Sequence, residues 1–241
     1  MTSSISFIPL DRKYPHLEGY ATDIACFLYR NRELVSRYYN LMKVSGRWTV
    51  SNGKQKVREW CERNFKRDRG QDIDEFRALL IRFFDLCGSD EEVVKLRGLI
   101  PEKLVEFIFR HRFRNSSEVV LETGCEVLVN GNPVRYYLTE QEKKRTVDVG
   151  VLERSDPIAE FVEIKCLPLS FQNKDIQYLR ILSSVLKGTG IRFGIFLVSL
   201  SDADYIRICL DSEKLWEETD KFHLYGNDNL YELMNRTVTA A

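Results

Sequence analysis

The sequence predicts an α/β fold: a helical N-terminal region over residues 1–95, then a domain of mixed sheet and helices over 96–241. Three observations point there. Apolar residues recur at helical spacing through most of the N-terminal region. Asn130-Gly131 stands between two alternating apolar runs, which is a strong local signal for an antiparallel hairpin. Further on, a strand, an amphipathic helix and a second strand follow one another, and such a crossover joins parallel strands. A hairpin and a crossover in one domain give a mixed sheet, in the order helix, strands, helix, strand.

In the N-terminal region, Ile24, Phe27, Leu28, Val35 and Tyr38 give residues 18–41 a helical apolar face. Ser51-Asn52-Gly53 is expected to break the chain. Residues 54–65 then form a basic amphipathic helix with Val57, Trp60, Cys61 and Phe65 inward, ended by Arg69-Gly70. A third helix over 72–86 buries Ile73, Phe76, Leu80, Phe83 and Phe84. Ser89-Asp90-Glu91-Glu92 reads as an N-cap opening a short fourth helix. Pro101 suits the first turn of the next one, which carries Glu102 and Glu106 and sets Leu104, Phe107, Ile108 and His111 at helical spacing.

Beyond the Asn130-Gly131 hairpin (125–138) come two strands of different character. Val147-Asp148-Val149-Gly150-Val151 sets its valines on one face and Asp148 on the other. In the run Ala159 to Cys166, Glu163 and Lys165 share a face, and Val162 and Ile164 take the opposite one. Pairing through the turn at 154–157 would gather Asp148, Glu163 and Lys165 on one face at a strand end. Residues 173–187 read as a helix with Ile176, Leu179, Leu182 and Leu186 inward, stopped at Gly188. Residues 191–200 are nearly continuous apolar sequence, as in a sheet interior. Residues 205–210 read as a further strand, the stretch after Asp211 as helical around Trp216, and the polar end as a fraying tail.

A Glu-x-Lys on a strand is in most cases a same-face ion pair; an aspartate on the neighbouring strand changes its meaning. Mg²⁺ takes oxygen ligands and keeps several waters, so two carboxylates suffice to hold it. The metal polarises a phosphate and lowers the pKa of bound water, and a lysine beside that cation, its own pKa depressed, can orient or deprotonate the nucleophile. The chemistry expected of these residues is phosphodiester hydrolysis.

With these residues and this order of elements, residues 98–210 resemble the PD-(D/E)XK nuclease superfamily, which implies the restriction-endonuclease-like fold with its α-β-β-β-α-β core. The resemblance implies that Asp148 is the motif aspartate, Glu163 the acidic residue and Lys165 the lysine. It implies that Asp148, Glu163 and the Ile164 carbonyl hold Mg²⁺, with Mn²⁺ able to substitute. Glu102, in Gly98-x-x-x-Glu102-x-x-Val105, looks like the helix glutamate that many members place beside the metal, with Glu106 its competitor. Gln177 looks like the site-lining glutamine of several branches. The motif's proline before the aspartate is Val147 here. The superfamily is diverse, so the likeness speaks to a class of reaction rather than to a substrate.

Composition bounds the rest. The chain has 241 residues, enough for one substantial core or two small ones, and its Lys+Arg and Asp+Glu counts are both 36. The charge is unevenly spread: residues 1–97 hold 18 Lys+Arg against 14 Asp+Glu. Lys54, Arg58, Arg63 and Lys66 lie on the outer face of the basic helix, where they could track a nucleic-acid backbone; Arg145 stands beside Asp148, and Arg110, Arg112 and Arg114 form another cluster. The six cysteines form no C-x-x-C pair, which argues against zinc or iron–sulfur clusters and for reduced, mostly buried thiols in a cytoplasmic protein. Nothing approaches a membrane span, and the first residues lack the marks of a signal peptide. The expectation is thus a metal-dependent nuclease with DNA as partner and a homodimer as an available state. The alternatives are a non-catalytic nucleic-acid-binding or assembly module on the same fold, and an interaction protein whose strand charges are only surface.

Overall fold

The computed structural model describes residues 4–11, 14–155 and 157–236. The chain divides into two compact units, one over residues 12–104 and the other joining residues 1–11 to 105–241. The division falls inside one continuous helix rather than near residue 95, and the first residues belong with the sheet.

The helical unit comprises α1 (Pro15–Arg30), a single 3₁₀ turn, α2 (Val35–Val44), α3 (Val50–Asn64), α4 (Gln71–Leu86) and the first part of α5 (Asp90–Arg112). Its core is aromatic: Phe76 stacks on Phe27 at 5.6 Å and meets the edge of Phe65 at 5.8 Å. Val57, Trp60, Cys61 and Phe65 are buried as expected, and so are Phe76, Leu80, Phe83 and Phe84, whereas Ile73 is half-buried.

Two readings change here. Ser51-Asn52-Gly53 does not break the chain but lies in the first turns of α3. Asn52 Oδ1 accepts the Thr49 amide at 3.2 Å, capping the helix, and Gly53 faces Phe84 so closely that a Cβ would overlap the ring. The second concerns Pro101. Ser89 Oγ accepts the Glu92 amide at 3.2 Å and opens a helix, but that helix is the 23-residue α5, with Pro101 in its interior. Proline costs a helix one ladder hydrogen bond; burial of Leu99, Ile100, Leu104, Val105 and Ile108 around it holds the helix through that point.

The second unit contains β1 (Ile5–Pro9), β2 (Val119–Val129), β3 (Asn132–Pro133), β4 (Tyr136–Tyr137), β5 (Lys143–Lys144), β6 (Thr146–Glu153), β7 (Ile158–Lys165), α6 (Asn173–Lys187), β8 (Arg192–Ser199), α7 (Ala203–Ser212) and β9 (Phe222–Tyr225). The fold is α/β with a mixed sheet ordered β1-β2-β6-β7-β8-β9, to which β3 is added beside β2. The first four strands of that order pair antiparallel, whereas β7-β8 and β8-β9 are parallel, with α6 and α7 as the crossovers.

Asn130 and Gly131 both take positive φ, 52° and 78°, as a two-residue hairpin turn requires. The returning strand is short, however. Past Val134 the chain leaves the sheet, and β4 pairs with β5 as a separate small hairpin. Residues 5–9, within the stretch read as helical, form the edge strand β1. Residues 205–210 lie in α7, with Ile206, Cys209 and Leu210 buried at helical spacing. Trp216 lies outside any helix, meeting Phe222 of β9 edge-on at 6.2 Å. The polar tail lies outside the described residues from 237 onward.

One face of the sheet, with Gly150, Leu152, Ala159 and Phe161, is covered by Ile176, Leu179, Leu182 and Leu186 of α6. The other holds Val162 and Phe196 and receives the C-terminal end of α5, where Phe109 lies 6.4 Å from Phe196. Arg112 on that end bonds both oxygens of the buried Glu160, at 3.1 and 2.8 Å. Among the described residues no helix is long and apolar enough to cross a membrane. All six cysteines are free, and four of them are buried.

Candidate active site

β6 and β7 lie in the middle of the sheet, not at its edge. Their register ends at Val149↔Val162, which sets Asp148 opposite Glu163 one step beyond the last pair. There the Asp148 side chain takes the place of the ladder: Oδ2 accepts the Ile164 amide at 2.7 Å. In an extended strand the N–H and C=O of one residue leave on the same side. The Ile164 carbonyl therefore also faces the Asp148 side. Glu163 and Lys165 stand on the α6 face, since Phe161 two residues earlier packs there.

Glu163 is fully buried. Its Oε1 accepts from two lysines, Lys165 and, at 2.7 Å, Lys144 of β5. Its Oε2 is buried with no hydrogen-bond partner among the described residues. A third carboxylate completes the cluster. Asp175 Oδ1 lies 3.0 Å from Lys144 Nζ, and Oδ2 lies 3.6 Å from Lys165 Nζ. Oδ2 also accepts the Gln172 amide at 3.0 Å, so the residue that caps α6 also serves the cluster. Three carboxylates and two ammonium groups meet where β7, β5 and the start of α6 converge.

The electrostatics follow from this crowding. Burial, reinforced by Asp148, raises the Glu163 carboxyl to about 7 against the pull of both lysines. Burial works against the Lys165 ammonium, but Glu163, Asp148 and Asp175 together outweigh it and hold its pKa above the ordinary lysine value. Lys144 is shifted up for the same reasons. At Asp175 burial is overcome by Lys165 and Lys144, and its pKa falls.

Asp148, Glu163 and Lys165 thus stand together as the strand pattern predicts. Lys144 and Asp175 join them without having been singled out in the sequence. The other candidates make other contacts. Glu102 belongs to the helical unit; Glu106, one turn on, belongs to the sheet unit, where it holds Arg110 at 2.8 Å. The end of α5 beyond Glu106 meets the face opposite the cluster, through Phe109 and Arg112. Arg112, read as a possible phosphate contact, is spent on Glu160. Gln177 bonds Asn173 of its own helix at 3.4 Å. Arg145 pairs with Glu126 at 3.2 Å and keeps an exposed side chain. On α3, Lys54 pairs with Asp85 at 2.6 Å and Arg63 Nε donates to the Glu59 carbonyl at 3.2 Å; Arg58 is exposed, and so is Lys66 just past the helix end.

A cleft of about 630 Å³ opens onto the cluster, with Lys144 and Asp175 in its lining and the β4–β5 hairpin along its side. Among the described residues no group of three or more His, Cys, Asp or Glu is arranged around a metal position. A comparison with protein-family models finds no match, and a comparison with curated proteins finds none either.

Proposed function

We propose that this chain is a divalent-metal-dependent nuclease of the PD-(D/E)XK type, on a restriction-endonuclease-like core, hydrolysing phosphodiester bonds in DNA. The observation that carries the reading is the meeting of Asp148 and Glu163 from adjacent central strands, with Lys165 against them, beside a cationic cleft.

The donor set fits Mg²⁺ or Mn²⁺. Asp148, the buried unpartnered Oε2 of Glu163 and the Ile164 carbonyl are hard oxygen donors, and an ion that keeps most of its waters needs no third carboxylate. Two like-charged groups held together, one of them protonated more readily for it, gain from a cation between them. When bound, the metal supplies Lewis-acid polarisation of a phosphoryl oxygen.

The chain's own residues do the rest. Without metal, Lys165 is held protonated by its carboxylate neighbours, which suits it to orient water or meet developing charge on phosphate. Lys144 balances Glu163 and Asp175 and fixes their carboxylates. Arg145 and the exposed cations on and just beyond α3, among them Arg58 and Lys66, offer phosphate contacts that position the polymer without reading its sequence. Glu102 and Gln177 are retained as proposed accessory residues.

The test is cleavage of plasmid, linear, single-stranded and RNA substrates with Mg²⁺ or Mn²⁺, beside calorimetric metal titration. Asp148→Asn and Glu163→Gln should each abolish cleavage and the binding heat. Undiminished cleavage by either would overturn the assignment. A second reading has its own support: two lysines already neutralise much of the cluster, as in a purely structural ion network on a non-catalytic nucleic-acid-binding module. That reading requires no metal heat and no cleavage, with oligonucleotide binding intact in EDTA.

A further inference from the structure

The cleft beside the cluster has a composition that the cleavage chemistry does not explain. Its floor is shared with the site, since Lys144 and Asp175 both line it and both take part in the Glu163 network. Its rim is cationic: Arg135, Lys143, Arg145 and Lys174 surround the opening. Acidic neighbours hold three of these without covering them. Glu126 lies 3.5 Å from Arg135 and 3.2 Å from Arg145, and Glu140 pairs with Lys143, yet more than half of each cationic side chain remains exposed.

Two aromatic rings of β4 line the same cleft: Tyr136, partly buried against the sheet core, and Tyr137. Tyr137 is 63% exposed, a large ring left in water at the rim of a charged cleft. Its hydroxyl bonds Glu140 at 3.1 Å, which steadies the ring on its hairpin and leaves its surface open to a ligand.

We propose that this cleft takes a single-stranded polynucleotide, and that the β4–β5 hairpin is the stacking platform that leads one strand to Asp148 and Glu163. The proposal rests on the nuclease reading for what happens at those carboxylates, but not for the binding itself. Cations that follow phosphates, interleaved with exposed aromatics, form the combination that grips an unpaired strand, because each unpaired base offers a ring face. In a duplex the bases are stacked on one another, so the exposed Tyr137 would have nothing to stack on and only the cations would be used. The size agrees. About 630 Å³ is the scale of a pocket for a small ligand, room for part of one strand.

The experiment is fluorescence anisotropy with the full chain in EDTA, where no metal-dependent cleavage occurs. The probes are a labelled single-stranded DNA oligonucleotide, the duplex of the same sequence, and the corresponding single-stranded RNA. The single strands should bind about tenfold or more tighter than the duplex at equal salt. Tyr137→Ala should lose about tenfold on single strands, and Tyr137→Phe, which keeps the ring, should not. Arg145→Ala should lower the salt slope on single strands by about 0.7, one phosphate contact. Tight binding of either DNA or RNA supports the proposal, and the preference between them identifies the sugar. Should Tyr137→Ala fail to fold, the strand preference and the Arg145→Ala slope still decide. Duplex binding as tight as single-strand binding, or a folded Tyr137→Ala with unchanged affinity, overturns it. The two readings fail separately. Metal-dependent cleavage confined to duplex substrates would keep the nuclease and overturn the strand preference. Tight single-strand binding with no cleavage of any substrate would do the reverse.

Discussion

At Glu163 two lysine ammonium groups share one carboxylate oxygen, while the other oxygen is buried without a partner among the described residues. The pKa of about 7 makes this a measurable property of the metal-free protein. An acid whose folded pKa lies above its unfolded value near 4.5 binds more protons folded than unfolded between the two. Its contribution to stability is therefore fully present below 4.5 and is lost as pH rises through about 7. In EDTA, the melting temperature of the wild type should fall relative to that of Glu163→Gln across this window; parallel profiles would show that Glu163 titrates normally. Lys165 gives the second expectation. Lys165→Ala should keep oligonucleotide binding and lose turnover, because the proposed task is orientation at the reacting phosphate. Loss of binding and turnover together would make Lys165 a phosphate clamp. Asp148, Glu163 and Lys165 were legible because the period of two in β6 and β7 fixes their faces from local sequence alone. Lys144 and Asp175 were not. Their approach depends on a hairpin folding over the start of α6, and no local period encodes that.

Element by element, the legible parts are those with a clear period and a clear stop. α6 runs over Asn173–Lys187 as its apolar spacing and Gly188 dictate. α7 was misread because Tyr205-Ile206-Arg207-Ile208-Cys209-Leu210 is compatible with both periods. The helical solution buries Ile206, Cys209 and Leu210, with Ile208 61% exposed. Pro101 and Gly53 misled for the opposite reason, since each is a local breaker overruled by packing around it. α3 keeps the basic outer face its sequence predicts, with Arg58 exposed and Arg63 bonded to the Glu59 carbonyl of its own helix. Should that face follow a nucleic-acid backbone, Arg58→Ala with Arg63→Ala should weaken binding to all sequences alike and flatten the salt slope by about 0.7 to 0.9 per lost contact. The melting temperature should hardly move, because exposed charges contribute little to stability. An unchanged slope would leave α3 a solvated helix face.

On the scale of the whole molecule, the sequence has no Pro/Gly/Ser linker to mark the boundary expected near residue 95, and chain order and spatial order differ. Residues 5–9 leave the first stretch of chain to pair with β2 over its last five residues, from Ile5↔Val129 to Pro9↔Cys125. No local signal announces this, because Ile5-Ser6-Phe7-Ile8-Pro9 is short and its partner lies more than a hundred residues away. The strand nevertheless completes the sheet. Ile5 is buried against the α6-side core, and Phe7 meets Phe161 edge-on at 6.3 Å. Gly150 leaves the room that Phe7 occupies, since a Cβ there would fall 2.7 Å from the ring. Removing residues 1–9 from the full chain should therefore expose Phe161 and leave β2 as an unpaired edge. Losing the burial of one aliphatic and one aromatic side chain should cost about 3 kcal/mol, or roughly 6–12 °C in melting temperature for a chain of this size. The bare edge of β2 should also make the shortened protein associate with rising concentration, since an open strand is a template for pairing. Differential scanning calorimetry and sedimentation at several concentrations read both effects. A shortened chain that melts with the full one and stays at the same mass would mean that β1 is an ornament on the sheet, and that Gly150 is small for some reason other than Phe7.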